Sequence, residues 1–356
     1  MNRIAAVRDL LDESNAVGIL ISSLPHIRWA CGFTGSNAVV YLDRDDGYLI
    51  TDGRYREQAR VEVGDLSIHI AESDLIAFLI SSGWLATRTT ILIQGEHLSA
   101  SKMDRLRTSA SATDFRLTEG LLDRLVAVKT DHEVNLIRAA QQITTDVFRD
   151  LVDWIIPGMT EKEIAARIIC EHLRRGADGM SFDPIVASGP NSALPHARPG
   201  DRKIRHGDVV VLDFGCSLEG YCSDMTRTIA VGEPGPEAEQ VFAVVRDAQQ
   251  NAIGAARAGM VAKDLDGQAR DHIDRNGFGS YFTHGLGHGI GMQVHEWPRV
   301  SARSSEKLPD GAVISIEPGV YIPGKFGIRI EDLVRLESGG CTNLTNVTTE
   351  FLRVQG

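Results

Sequence analysis

In VVVLDFGCSLEGYCSDMTRTIAV, residues 209–231, two apolar, β-branched runs flank the turn residues 217–220. The pattern predicts a β-hairpin, with strands over 209–214 and 221–231. A turn centred on Leu218 and Glu219 sets Asp213 directly opposite Asp224. Side chains opposed in this way on one face lie ~5 Å apart at Cβ. Two carboxylates at that separation in an apolar strand repel each other, and need a proton, an arginine or a metal ion between them.

The arrangement recurs downstream. VISIEPGVYIPGKFGIRIEDLVRL, residues 313–336, reads as strands over 313–322 and 328–336 around Pro323 and Gly324. A turn centred on Gly324 pairs Glu317 with Glu331. One acidic residue in a strand is unremarkable, but two hairpins that each present a carboxylate pair are hard to attribute to chance. Between them lies THGLGHGIGMQVHEWP, residues 283–298, where His284, His288 and His295 fall within twelve residues. The i, i+4 spacing of His284 and His288 lacks the glutamate of a helical zinc pair. Glycines at 285, 287, 289 and 291 would each cost a helix ~1 kcal/mol. Read as a strand, the segment places His284, Leu286, His288 and Ile290 on one face, and the glycines where something approaches the backbone closely. It also fails as a phosphate-binding G-x-G-x-x-G loop, because Ile290 and Met292 stand where the last glycine belongs.

Four carboxylates and an imidazole form an oxygen-rich donor set suited to two divalent ions of the manganese, cobalt or zinc kind. Two such ions ~3.5–4 Å apart activate water and clamp the oxygen that gains charge in hydrolysis. The residues therefore point to a dinuclear metallohydrolase. Nucleophile-based hydrolysis finds no support: G-x-S-x-G is absent, and no cysteine has a recognisable catalytic setting.

Outward from these segments, the pattern is that of a two-domain α+β chain. The 356 residues exceed what one small core usually organises. Residues 1–125 alternate helical and strand-like patterns: helices over 3–13 and 54–63, strands over 17–22, 38–42, 48–51 and 91–95. The stretch 107–120 is polar and aperiodic, and the boundary is expected near 125. Residues 126–356 carry two helix pairs, over 132–156 and 160–176, then 237–258 and 263–275, with strands between and after them. Thr160 and Glu163 form a capping box that opens the second helix.

Composition excludes several function classes. Apolar residues make up 43% and charged residues 24%, the mix of an ordinary globular protein. Asp and Glu number 48 against 37 Lys and Arg, a formal net charge of −11, with no basic run. Nucleic acid and anionic membrane are poor partners for such a surface. No apolar stretch approaches the ~20 residues of a membrane span. Asp9, Asp12 and Glu13 interrupt what a signal peptide would need, so a cytoplasmic location is expected. The five cysteines are scattered and contain no C-x-x-C pair.

The strings VLDFG, SDMTRT, HGLGHGIGMQVHE, SIEPGVYIPGKFGIRIED and NSALPHARP resemble the Xaa-Pro peptidases, namely prolidase and Xaa-Pro aminopeptidase. These are relatives of methionine aminopeptidase with the pita-bread fold. HIRWACGFTGSNA at 26–38 and LITDGRYREQA at 49–59 resemble their smaller, creatinase-like α/β N-terminal domain. The resemblance implies a pita-bread catalytic domain over 126–356, preceded by the creatinase-like domain over 1–125. By position it makes Asp213, Asp224, His288, Glu317 and Glu331 the metal ligands, with Asp224 and Glu331 bridging both ions. Manganese or cobalt are the ions it favours, with zinc a further candidate. Glu317 would carry a proton to the leaving proline nitrogen, and His295 would hydrogen-bond the scissile carbonyl. His196 would contact substrate near the scissile bond, and His284 would line the proline side of the pocket. Arg329 would support the metal site or bind substrate. Arg299 is a further candidate, for a substrate carboxylate.

No motif position departs from the pattern, which counts against the metal-free relatives such as creatinase. The resemblance implies hydrolysis of short proline-containing peptides and a homodimer. It covers both dipeptidase and aminopeptidase, which differ in whether a charged residue closes the far end of the pocket. A same-fold hydrolase of another small amide and a non-catalytic peptide-binding module are the alternatives.

Overall fold

A computed structural model describes residues 2–86 and 89–354. The chain divides into two compact units, Met1–Val126 and Ala127–Gly356.

The first unit is built on a six-stranded mixed sheet. Its strands run in the spatial order Ser67–Ala71, Gly47–Asp52, Ala38–Asp43, Gly18–Ile21, Thr90–Gln94, Asp114–Thr118. The central Gly18–Ile21 strand is buried along its whole length, as a GILI run covered on both faces should be. The stretch 107–120, read as aperiodic, holds the end of the Ala100–Ser109 helix and the edge strand Asp114–Thr118. Only Phe115 of that strand is buried, so the edge has no alternation to read.

The second unit repeats a helix pair laid over a sheet. Asp131–Trp154 and Glu161–Arg174 cover a four-stranded sheet in the order Arg353–Val354, Met225–Val231, Val209–Phe214, Ile185–Ser188. Val147, Phe148, Leu151, Ile164 and Ile168 pack there on Val210, Leu212, Met225 and Ile229. Pro236–Ala255 and Ala262–Arg275 cover a five-stranded sheet, with Val241, Val245, Leu265 and Ile273 against Ile314, Ile316, Val334 and Leu336. Capping boxes open both helices of the first pair, Thr130 with Glu133 and Thr160 with Glu163. The Thr130 box starts its helix at Asp131.

The register of the first hairpin corrects the sequence expectation. Asp213 stands opposite Thr226, not Asp224. The turn is Glu219 and Gly220, with positive φ of 47° and 79°, between Leu218 and its partner Tyr221. Moving a turn by one residue moves the register by two, and so leaves every side chain on its face. Asp213 and Asp224 are therefore diagonal neighbours on one face rather than directly opposed. The second hairpin has the expected register, and it splits between two sheets. Val313–Ile316 pairs with Asp332–Glu337 in the five-stranded sheet. Gly319–Ile322 pairs with Phe326–Arg329 as a separate two-stranded ribbon. Glu317 and Glu331 sit at the seam. There the Glu317 amide donates to Leu286 O at 2.8 Å and the Glu331 amide to Thr226 O at 3.1 Å.

Candidate metal centre

Strand alternation in the first hairpin turns Val210, Leu212, Met225 and Ile229 toward the helices and leaves Asp213, Asp224 and Thr226 on the opposite face. The second hairpin brings Glu317 and Glu331 to the same place from its seam. The strand expected over 284–290 is shorter, Gly287–Gly289, because a bulge between His288 and Gly289 shifts its pairing with Glu296–Val300. His288 lies on it. Its glycines are required: a Cβ on Gly287 would stand 2.0 Å from Ser315 O, and one on Gly289 2.3 Å from Trp297 O. The close approach anticipated along the glycine face is that of the neighbouring strand backbones.

Ligand-type atoms of Asp224, His288 and Glu331 all lie within 4.8 Å of one another. His288 Nε2 is 3.7 Å from Asp224 Oδ2 and 3.3 Å from Glu317 Oε1. Its Nδ1 lies 3.0 Å from Gly289 O, an acceptor only, so Nδ1 carries a proton and Nε2 faces the carboxylates. Asp213 is tied to Arg329, which also donates to Tyr321 Oη at 2.6 Å, Thr226 Oγ1 at 3.2 Å and Pro195 O at 3.1 Å. Thr226 Oγ1 donates to Glu331 Oε2 at 2.8 Å. Ser315 Oγ accepts from the His288 amide at 3.1 Å and donates to Glu317 Oε1 at 3.2 Å.

The electrostatics are those of a crowded anionic pocket. Burial, then the charges of Glu331 and Asp213, push the Asp224 carboxyl well above the usual range. Burial, then Glu317 and Asp213, do the same to Glu331. Asp213 is raised by burial against the opposing pull of Arg329. Burial alone would raise Glu317 and lower His288, but their hydrogen bond and opposite charges outweigh it, holding Glu317 low and His288 high. Asp213 Oδ1, Asp224 Oδ1 and Glu331 Oε1 are buried without a hydrogen-bond partner. Orphaned carboxyl oxygens converging with a correctly presented imidazole nitrogen are the chemistry of a divalent cation site, and these residues fit one.

The remaining candidates divide. His295 is exposed and packs edge-on to His288, ring centroids 4.4 Å apart. Burial and the neighbouring His288 lower its pKa. His196 is exposed, and its charge bears on both His284 and His295. Both nitrogens of His284 are engaged within the protein: Nδ1 with Gly285 O at 2.8 Å, and Nε2 with the Tyr321 hydroxyl at 2.9 Å. What His284 offers a substrate is ring surface. Arg329 is buried, with its donors spent on Asp213, Tyr321, Thr226 and Pro195, the geometry of a support for the carboxylates. Sequence reasoning missed Thr226, Ser315 and Tyr321. Thr226 had a readable signal, two residues after Asp224 and so on its face.

Comparison with known proteins bears on this geometry. The profile of metallopeptidase family M24 matches residues 135–338, and that of the creatinase/prolidase N-terminal domain matches residues 3–128. The chain belongs to metallopeptidase family M24. The architecture of this M24 chain is the expected one, a creatinase-like domain followed by the catalytic domain. The Xaa-Pro dipeptidase of Pyrococcus furiosus is 34% identical over 357 residues, covering 98% of this chain and 99% of that one. An Xaa-Pro dipeptidase structure from Bacillus anthracis is 35% identical with a TM-score of 0.95, covering 99% of each chain. The X-Pro aminopeptidase structure from Thermotoga maritima is 37% identical with a TM-score of 0.90, covering 99% of this chain and 100% of that one. Among the described residues, no helix is long and apolar enough to cross a membrane.

Proposed function

We propose that this M24 chain is a metallo-exopeptidase that hydrolyses the bond before proline in short peptides. The observation that carries the reading is the set of orphaned, buried oxygens on Asp213, Asp224 and Glu331 beside His288 Nε2. The residues that would hold two divalent ions, manganese or cobalt foremost, are Asp213, Asp224, His288, Glu317 and Glu331. When bound, such ions supply electrophilic polarisation of the scissile carbonyl and of water. The names of the relatives support proline specificity, and proline's imide, which lacks an N–H, suits a dedicated pocket.

The chain's own groups then have defined work. Glu317, oriented by the Ser315 hydroxyl, takes a proton from the attacking water and delivers it to the proline nitrogen. The C–N bond breaks, a C–O bond forms, and the products are a free carboxylate and a secondary amine. His295 steadies the carbonyl oxygen as negative charge builds on it. His196 holds the substrate close to the scissile bond. Arg329 holds Asp213 in place, and through Tyr321 fixes the ring of His284. Arg299, exposed and paired with His288 across the strands, is the candidate for reading a free substrate carboxylate. The same reading makes the enzyme a cytoplasmic homodimer, which equilibrium sedimentation tests for the oligomer.

A panel of Xaa-Pro dipeptides, longer Xaa-Pro-led peptides and non-proline controls, assayed with manganese or cobalt, tests the activity. Cleavage confined to Xaa-Pro substrates is expected, with Glu317→Ala inactive. A panel in which no Xaa-Pro bond is cut would refute the proposal. A fully active Glu317→Ala enzyme would remove the proton assignment alone.

A further inference from the structure

His196 lies on a segment, 188–200, whose regular structure beyond Ser188 is the short 3-10 turn Gly189–Ala193. No sheet ladder holds His196 in place. The segment is gathered instead around one side chain. Glu161, the first residue of the Glu161–Arg174 helix, is completely buried. Its Oε1 accepts from the Ser188 amide at 2.8 Å, the Ser188 hydroxyl at 2.7 Å and Asn191 Nδ2 at 3.0 Å. Its Oε2 accepts from the Gly200 amide at 3.0 Å and again from Asn191 Nδ2 at 3.2 Å.

A glutamate in the first turn of a helix ordinarily sits in solvent, where it complements the helix dipole. Glu161 does not. Taking a carboxylate out of water is costly unless its oxygens are satisfied. Here five hydrogen bonds to an ionised acceptor offset that cost, and all come from Ser188, Asn191 and Gly200. The donors stand at the start, the early turn and the end of the segment, so one carboxylate closes the loop. The helix start adds a second tie, from the Lys162 amide to Gly200 O at 3.1 Å. On its other side the loop rests on the Phe326–Arg329 strand, through Gly327 N to Ser192 Oγ at 2.8 Å and Arg329 Nη1 to Pro195 O at 3.1 Å. His196 follows Pro195 directly, suspended between the two anchors.

We propose that Glu161 is a positioning residue for His196, setting where that imidazole meets the substrate. The proposal rests on the reading that His196 contacts substrate. The Glu161 carboxylate bonds to Ser188, Asn191 and Gly200 and to none of the candidate metal ligands, and acts by fixing the path of residues 188–200. Glutamine in its place turns an amide N–H₂ toward donors and removes the charge that strengthens the bonds, with almost no change in volume.

The test is a double-mutant cycle on the metal-loaded enzyme with an Xaa-Pro dipeptide. Glu161→Gln is expected to lower kcat/KM by ~10- to 100-fold, the scale on which misplacing a group near the reacting atoms acts. Bound metal should stay at the wild-type amount, and amide hydrogen exchange should rise over 189–200. His196→Ala should lower kcat/KM by itself, and adding Glu161→Gln to it should cost no more. Glu163→Gln, an exposed change in the same helical turn, should retain wild-type kinetics. If Glu161→Gln does not fold, Asn191→Ala removes the loop's side-chain partner and should give the same pattern. An unimpaired His196→Ala enzyme overturns the reading of His196, and this proposal with it. An impaired His196→Ala enzyme whose penalty multiplies with that of Glu161→Gln overturns the proposal for Glu161 alone. Loss of metal in Glu161→Gln in step with activity overturns it too.

Discussion

Arg227 is the residue whose removal should tell most about how the two hairpins are held. Its guanidinium is buried between the Met225–Val231 strand and the C-terminal part of the chain. It donates to Glu331 O and Asp332 Oδ1, each at 2.6 Å, and to Thr226 O, Thr348 O and Val347 O at 2.9–3.1 Å. Asp332 is equally buried and also accepts from Gln249 Nε2 and Asn343 Nδ2, each at 2.9 Å. Arg227→Met keeps most of the packing volume but leaves the Asp332 charge without its cation. Removing one partner of a buried ion pair costs about 3–5 kcal/mol. In a unit the size of Ala127–Gly356, that is a fall in melting temperature of roughly 6–20 °C.

Thermal and urea unfolding of metal-stripped protein, under EDTA, measures the loss without the stabilisation that a bound ion adds. Because Arg227 also holds the carbonyls of Thr226 and Glu331, calorimetric titration with manganese should show affinity weakened by ~10- to 100-fold. Adding Asp332→Asn should recover at least about 1 kcal/mol relative to the sum of the single losses, since neither charge is then buried alone. A single variant that loses less than about 1 kcal/mol, or strict additivity in the cycle, would refute the clamp.

In the first unit, Gln94 Oε1 accepts the amides of Ser22 and Ser23, which turns its N–H₂ toward His26 Nδ1 at 2.6 Å and so requires a neutral ring. Burial, reinforced by the nearby His97, lowers the His26 pKa from 6.5 to about 4. The unfolded chain therefore takes up a proton first as pH falls, and up to about 3 kcal/mol of stability drains away between pH 6.5 and 4. Hydrogen exchange in the Gly18–Ile21 strand should report that slope, and a His26→Asn protein with the same slope would count against the assignment. Gly287→Ala, whose Cβ would stand 2.0 Å from Ser315 O, should cost at least about 2 kcal/mol and disturb the serine that orients Glu317. Gly254→Ala, in a helix with nothing within 4 Å, should instead stabilise by ~0.5–1 kcal/mol. Unfolding curves that rank the two alike would contradict the packing argument.

Much of the candidate site was legible because it depends on parity. Whichever residue begins a turn, alternate side chains of a hairpin share a face, so Asp213 and Asp224 could be grouped even with the register two residues off. The cause of that slip is local. Glu219 occupies a left-handed position at φ 47°, a conformation usually left to glycine or asparagine, so the turn reads as starting one residue early. Gly324 at φ 74° fits its position, and the second register was accordingly readable. What could not be read was the seam that divides the second hairpin, because the bonds that make it run to Leu286 and Thr226. Glu161 and Gln141 were equally opaque. Each looks like an ordinary polar residue on an amphipathic helix, and only tertiary contact shows one gathering a loop and the other holding the Asp224 amide at 3.2 Å.

The seam has a further consequence for how the molecule comes into being. Asp213 and Asp224 belong to the first helix-pair-and-sheet half, and Glu317 and Glu331 to the second. The bond from Glu331 N to Thr226 O stitches one half to the other. The first half is itself completed late, because its four-stranded sheet takes its edge strand from Arg353–Val354, which follows Glu331 in the chain. The acidic quartet, and with it the candidate metal centre, is therefore complete only when the two halves have met.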